Sequence, residues 1–439
     1  MKPKILYSFL IISILSACRP DSVITEEIPV SIITEEISLP VKDDIELPPV
    51  AFAPDIELLR QQDDTSAIRM VALGGSFPSG SRNGGLYREG QITSIPELIA
   101  HQMQLQAFIS PLFEKEQGNG SGYLIYDRKA SLPSWKKVTN QTAIVSQMPL
   151  RLTPFKGTYV DNISWPEGPG TNSNPSNSYF YYPKGKEPYF SYLFRFYSDK
   201  GTNETPFHYF AYTIPQKTHL LLHFEDLDSW IGWACYTQNF NIQNRLHEGY
   251  FYPKSQFIRD YKKVGLKMVL YNMPDFLDFP YFHLYQASQL MPKNNTTGQA
   301  LSDSTLLIPT DGIKKAFVSN KKSILLDEDV ISADEAKQFR IIIKDVLNTN
   351  TTEYFAKLYN LPMVDMYSLY KTILAGKYYT EDGLFIDPSF PNGNFFSEDG
   401  IHPSAIGSAV IANETIKKIN ERYHTKIPLI NVSQLAKRL

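Results

Sequence analysis

Toward its C-terminal end the chain reads Ser397-Glu-Asp-Gly-Ile-His-Pro-Ser404, which sets Asp399 three residues before His402, with a proline directly after the histidine. Such a turn lets the carboxylate reach one ring nitrogen of its neighbour and leaves the other to take a proton from a hydroxyl. A hydroxyl that needs a base stands near the other end of the chain. There the apolar run Ile68-Arg-Met-Val-Ala-Leu73 leads into Gly74-Gly75-Ser76, so Ser76 sits at the tip of a buried strand. A serine is a poor nucleophile until an adjacent base removes its proton. Each piece alone is weak, because Ser, Gly, Asp and Pro also build ordinary turns. Together they suit Ser–His–Asp catalysis, provided the fold closes the long separation between them.

The elements that must do this are legible. From Ile68 onward strand-like runs alternate with amphipathic helical segments. Ser94-Ile-Pro-Glu97 reads as a capping box ahead of Ile95, Leu98, Ile99 and Met103, and Ser332-Ala-Asp-Glu335 as a second one opening a helix through Val346. His219–Phe224, Leu266–Tyr271 and Pro362–Met366 read as strands, and Phe257–Val264 as a helix ending at Gly265. A last helix starts at Pro403 and turns Ala409, Ala412, Ile416 and Ile419 inward. This alternation predicts an α/β fold with a parallel sheet covered on both faces. A parallel sheet gathers functional groups at the C-terminal ends of its strands, so Ser76 and His402 can meet there.

Other chemistry-bearing residues have bland alternatives. Glu225, Asp226 and Asp228 could offer hard oxygens to a cation, but no calcium-loop spacing follows and solvated loop acids or local caps are expected. His219 and His223 lie four apart on a strand, which does not suit a metal pair, and no metal is expected. Trp230, Trp233 and the run Tyr179–Tyr182 could stack on a sugar or acyl chain, or belong to the core or an interface. Cys235 reads as a small packed side chain. Long Tyr/Pro/Asn-rich stretches, Gly157–Pro206 and His283–Pro309, are expected to decorate the functional face or an interface.

The chain has 439 residues, a net charge of −3 and two cysteines. That balance argues against a nucleic-acid partner. Residues 1–17 carry Lys2 and Lys4, then an apolar core from Ile5 to Leu15. This core is shorter than the roughly 20 residues a membrane span needs, so the segment reads as a secretory signal. Leu15-Ser-Ala-Cys18 resembles the bacterial lipoprotein signal, in which the cysteine becomes the lipidated N-terminus. With Cys18 lipidated, Cys235 has no intrachain partner. Residues 18–64 are acidic and proline-containing and are expected to be an extended tether, with a short strand as the alternative; residues 65–439 form one domain.

Over Ile68 to Asn420 the chain resembles the SGNH (GDSL-type) hydrolases, in particular the large lipoprotein members of Gram-negative bacteria. The segments that carry the likeness are NGGLYREGQITSIPELIAHQM after the serine, GNGSGYL at Gly118–Leu124, YNMPDFLDFPYF at Tyr271–Phe282 and FSEDGIHPSAIGSAVIANETI at Phe396–Ile416. The resemblance implies a three-layer α/β/α sandwich of flavodoxin-like type that needs no metal or cofactor. It implies hydrolysis of acyl or acetyl esters, of lipids or acetylated glycans, through an acyl-enzyme. It makes Ser76 the nucleophile, His402 the general base and Asp399 its orienting acid. The backbone N–H groups of Ser76 and Ser164 would form the oxyanion hole. Three positions depart from the family. Gly75 replaces the Asp of Gly-Asp-Ser. Ser164 stands where a Gly is expected. Aligning the third block on Asp228 sets Glu225 at its Gly and Leu227 at its Asn. Leucine cannot donate a hydrogen bond, and losing one oxyanion donor costs about 10²–10³ in rate. Three functions therefore stay open: a lipid-anchored outer-membrane ester hydrolase, slowed if the missing donor matters; a catalytically degenerate lipoprotein serving as a binding or scaffold subunit of an outer-membrane complex; or, more weakly supported, a glycan-binding lipoprotein that uses the aromatic residues.

Overall fold

The computed structural model describes residues 32–147, 150–157, 159–164, 166, 195, 218–225, 227–236, 258–259, 261–263, 265–290, 301–318 and 325–439. The signal segment, Cys18, Asp226, the run Tyr179–Tyr182 and the Trp233 side chain lie outside the described residues.

Five parallel strands make the central sheet: β1 (Met70–Gly74), β2 (Asn162–Ser164), β3 (Leu220–His223), β4 (Lys267–Tyr271) and β5 (Met363–Val364). Their spatial order is β2-β1-β3-β4-β5, so the direction of sheet growth reverses beside β1. In open α/β sheets, the crevice at the carboxyl ends of the strands beside such a reversal is where ligands bind. The near-continuous apolar sequence of these strands follows from burial on both faces. Met70, Ala72, Leu220, Leu222, Val269 and Tyr271 point into one core. Val71, Leu221, Met268 and Leu270 point into the other.

The first face is covered by α2 (Ile95–Gln102) and α6 (Ala405–Tyr423). On α6, Ala409, Ala412, Ile416 and Ile419 are fully buried, as their spacing predicts. The second face is covered by Phe355 and Ala356 of α5 (Tyr354–Leu358), with Ile258 and Tyr261. Ser332 caps α4 (Ala333–Ile341) through the expected reciprocal box with Glu335. The helix then runs past Val346 as a π-helical stretch, Ile342–Glu353, into α5. This widened stretch brings Asn348 and Thr352 to the ends of β4 and β3. Asn348 bonds both the N–H and the carbonyl of Met273, and Thr352 donates to Glu225 at 2.8 Å.

Two expectations are corrected. Ser94 makes no capping hydrogen bond to α2; its partner in the expected box, Glu97, instead lines a groove with Arg88 and His101. Burial there pushes the Glu97 carboxyl up to about 7. The segment expected to be an extended tether is, from residue 32 on, part of the domain. Ile33–Ile37 pairs in parallel with Trp135–Val138, which pairs antiparallel with Tyr123–Tyr126. Ile32 and Leu59 are buried, and Asp44 bonds Arg88. Ile33 and Ile37, both half-buried, bracket Thr34-Glu35-Glu36, and Trp135–Val138 supplies the sheet neighbour.

Candidate active site

The turn that carries His402 is fixed from several directions. Gly400 adopts a φ of +71°, a left-handed conformation that side chains disfavour, and thereby folds Asp399 back toward His402. His402 Nδ1 lies 2.7 Å from Asp399 Oδ2, and both side chains are buried. Because a carboxylate only accepts, this contact assigns the ring proton to Nδ1 and makes Nε2 the basic nitrogen. Asp399 accepts four further hydrogen bonds. The Ser397 hydroxyl and the N–H groups of Ile401 and His402 donate to Oδ1 at 2.9, 2.8 and 2.9 Å. The Gly84 N–H donates to Oδ2 at 2.8 Å. Burial alone would raise this carboxyl, but the charge on His402 and these donors hold it at about 2.

Gly84 belongs to the Asn83-Gly84-Gly85 turn, which ties the two ends of the chain together. Asn83 donates its N–H to Ser397 Oγ and accepts from the Glu398 N–H through its side chain. A Cβ at Gly85 would sit 1.9 Å from the Gly122 carbonyl oxygen, so only glycine fits there. Glu398 is held in turn by the Ile33–Ile37 sheet. The Trp135 indole donates to its carbonyl, the Tyr126 N–H to its carboxylate, and Arg128 grips that carboxylate with two nitrogens. Asn83, Ser397 and Glu398 escaped the sequence reading as site residues. Asn83 precedes a glycine pair and Ser397-Glu398 precede Asp399, which marks two turns but not their contact.

Ser76 stands where expected, at the carboxyl end of β1 as the first residue of the short helix α1 (Ser76–Ser79). Its neighbour Phe77 lies edge-on to the His402 ring, with centroids 5.6 Å apart, so the serine turn and the His402 turn are adjacent. Ser164 ends β2 in register with Gly74, on the next strand over. Leu227 opens α3 (Leu227–Tyr236), just beyond β3, and lines the same cavity as Ser76. Phe77, Phe224, Met273, Pro274 and Met366 complete the apolar wall of that cavity.

The unexpected partner is Asp228. Its carboxylate accepts the Ser76 N–H at 2.7 Å and, in a second short contact, the Ser76 hydroxyl. Among the described residues Ser76 Oγ therefore bonds Asp228 and not His402. Glu225 and Asp228 are buried and hydrogen-bonded, which corrects the expectation of solvated loop acids. Trp230 is buried in the core, and the buried Cys235 thiol is pushed up to about 12, which makes it inert. His219 pairs with Asp64. Among the described residues no group of three or more His, Cys, Asp or Glu is placed to hold a metal ion.

No protein-family model matches the chain, and no curated protein matches it significantly.

Proposed function

We propose that the protein is a membrane-anchored serine ester hydrolase of SGNH type, acting on an acyl or acetyl ester. The observation that carries this reading is the buried Asp399–His402 pair, with Nδ1 committed to the carboxylate, standing against the strand-end turn of Ser76. The strand order β2-β1-β3-β4-β5 is that of flavodoxin-like sheets, and helices on both faces support the three-layer sandwich of that family.

In the reaction, Ser76 Oγ attacks the ester carbonyl as His402 Nε2 takes its proton, forming the Oγ–C bond and an oxyanion. Collapse breaks the C–O bond to the alcohol, which leaves with the proton from His402. Water then attacks the acyl-enzyme by the same route, releasing the acid and restoring Ser76. The N–H groups of Ser76 and Ser164 would receive the oxyanion. Leu227 adds no donor, which fits a slow enzyme. Lipidated Cys18 would hold the protein in the outer membrane. Because the domain begins by residue 32, the connecting chain reaches at most roughly 50 Å.

One observation favours the second reading, a binding or scaffold subunit of an outer-membrane complex: the serine is engaged by Asp228 rather than by its base. Hydrolysis of p-nitrophenyl acetate by the purified mature protein separates the two. The hydrolase reading expects turnover above background that disappears in Ser76→Ala. Equal rates for the two proteins, both folded, would leave the scaffold reading.

A further inference from the structure

We propose that Asp228 is the residue that sets the reactivity of Ser76: its carboxylate holds the serine in a resting state and must withdraw before an ester can react. This rests on the reading of Ser76 as nucleophile.

Both groups that the serine needs for catalysis are taken by one carboxylate. The hydroxyl proton points to Asp228, so it is not presented to His402. The Ser76 N–H, which would hold the oxyanion, already holds Asp228 Oδ2 at 2.7 Å. A carboxylate oxygen there places negative charge where the transition state would develop its own, which opposes the reaction. The cavity beside the serine is small. It measures about 20 Å³, room for a single water, and Ser76 is only 1 % exposed.

Residue 75 makes the contact sterically feasible. A Cβ on Gly75 would lie 2.3 Å from Asp228 Oδ2, so the carboxylate occupies the space where a side chain at that position would begin. With no side chain at 75, the carboxylate of Asp228, 152 residues along from Ser76, reaches the serine. Asp228 is the second residue of α3, and Leu227 beside it lines the same cavity. A swing of Asp228 with the first turn of α3 would release both serine donors and open the cavity together.

The test is the rate of covalent labelling by a fluorophosphonate in the full mature protein, with melting temperature as the control for folding. Asp228→Asn removes the charge, and its amide can donate to Ser76 Oγ, which turns the hydroxyl proton toward His402. It is expected to label roughly tenfold faster or more than wild type, and Ser76→Ala in the same background should abolish the signal. Should Asp228→Asn not fold, Gly75→Ala, whose methyl crowds the carboxylate, must show the same rise. A wild type that labels as fast as or faster than the folded variant overturns the resting state alone. Absence of labelling in wild type and variants alike overturns the nucleophile reading and this inference with it.

Discussion

His402 and Ser76 are each held by a buried aspartate, with opposite consequences. Asp399 accepts five hydrogen bonds, one of them from the His402 ring, which fixes the ring proton on Nδ1. Asp228 takes both donors of Ser76 and so satisfies the groups that chemistry would have to use. One carboxylate orients a histidine ring and the other occupies a serine. The difference lies in which atoms are covered: the first aspartate binds the nitrogen remote from the reaction, the second the reacting oxygen itself. A buried carboxylate beside a serine or histidine is thus no sign of activity until its target atom is known.

Substitution at the His402 end carries the largest expected effect. Asp399→Asn keeps the shape but lets the ring choose the wrong tautomer, and esterase turnover should fall by about 10⁴. A fall of less than tenfold would mean that His402 is not the base. The same carboxylate should be visible in stability. Its folded pKa of about 2 lies below the ordinary 3.8, so its contribution is fully present above pH 3.8 and is lost as pH falls through about 2. The loss should amount to about 2 kcal/mol in acid unfolding monitored by circular dichroism. Asp399→Asn should lack that portion of the acid transition.

The smallest effect concerns the support of the His402 turn. Glu398→Gln weakens a partly exposed ion pair with Arg128 and should lower stability by about 1 kcal/mol or less. Turnover should drop only severalfold, because Asp399 keeps its own donors. A loss as large as that of Asp399→Asn would show that the small sheet, rather than the local turn, positions the histidine.

What could be read from the chain divides along the same line. The Asp399–His402 contact spans three residues and a proline-bounded turn, so spacing alone exposes it. The parallel sheet was legible because the runs Leu220–Leu222 and Met268–Tyr271 inside its strands are apolar and buried, and α6 shows its face in the period of its alanines and isoleucines. The Ser76–Asp228 contact joins positions 152 apart and depends on the absence of a side chain at Gly75. No local pattern announces that. The same holds for Ile33–Ile37, whose acidic, proline-flanked sequence looks like a solvated linker until Trp135–Val138 is beside it. At Ser94 the capping pattern was present, but the Glu97 side chain lines a groove, half-buried, instead of making its cap.

The central claim, that Ser76 is a nucleophile at rest, is tested most directly by mapping the fluorophosphonate adduct. Trypsin releases Met70–Arg82 as one peptide, which holds Ser76, Ser79 and Ser81. After prolonged exposure, fragmentation mass spectrometry should place a single adduct on Ser76, formed faster in Asp228→Asn. An adduct on Ser79, on Ser81 or outside this peptide, or none on the folded protein, would contradict the account.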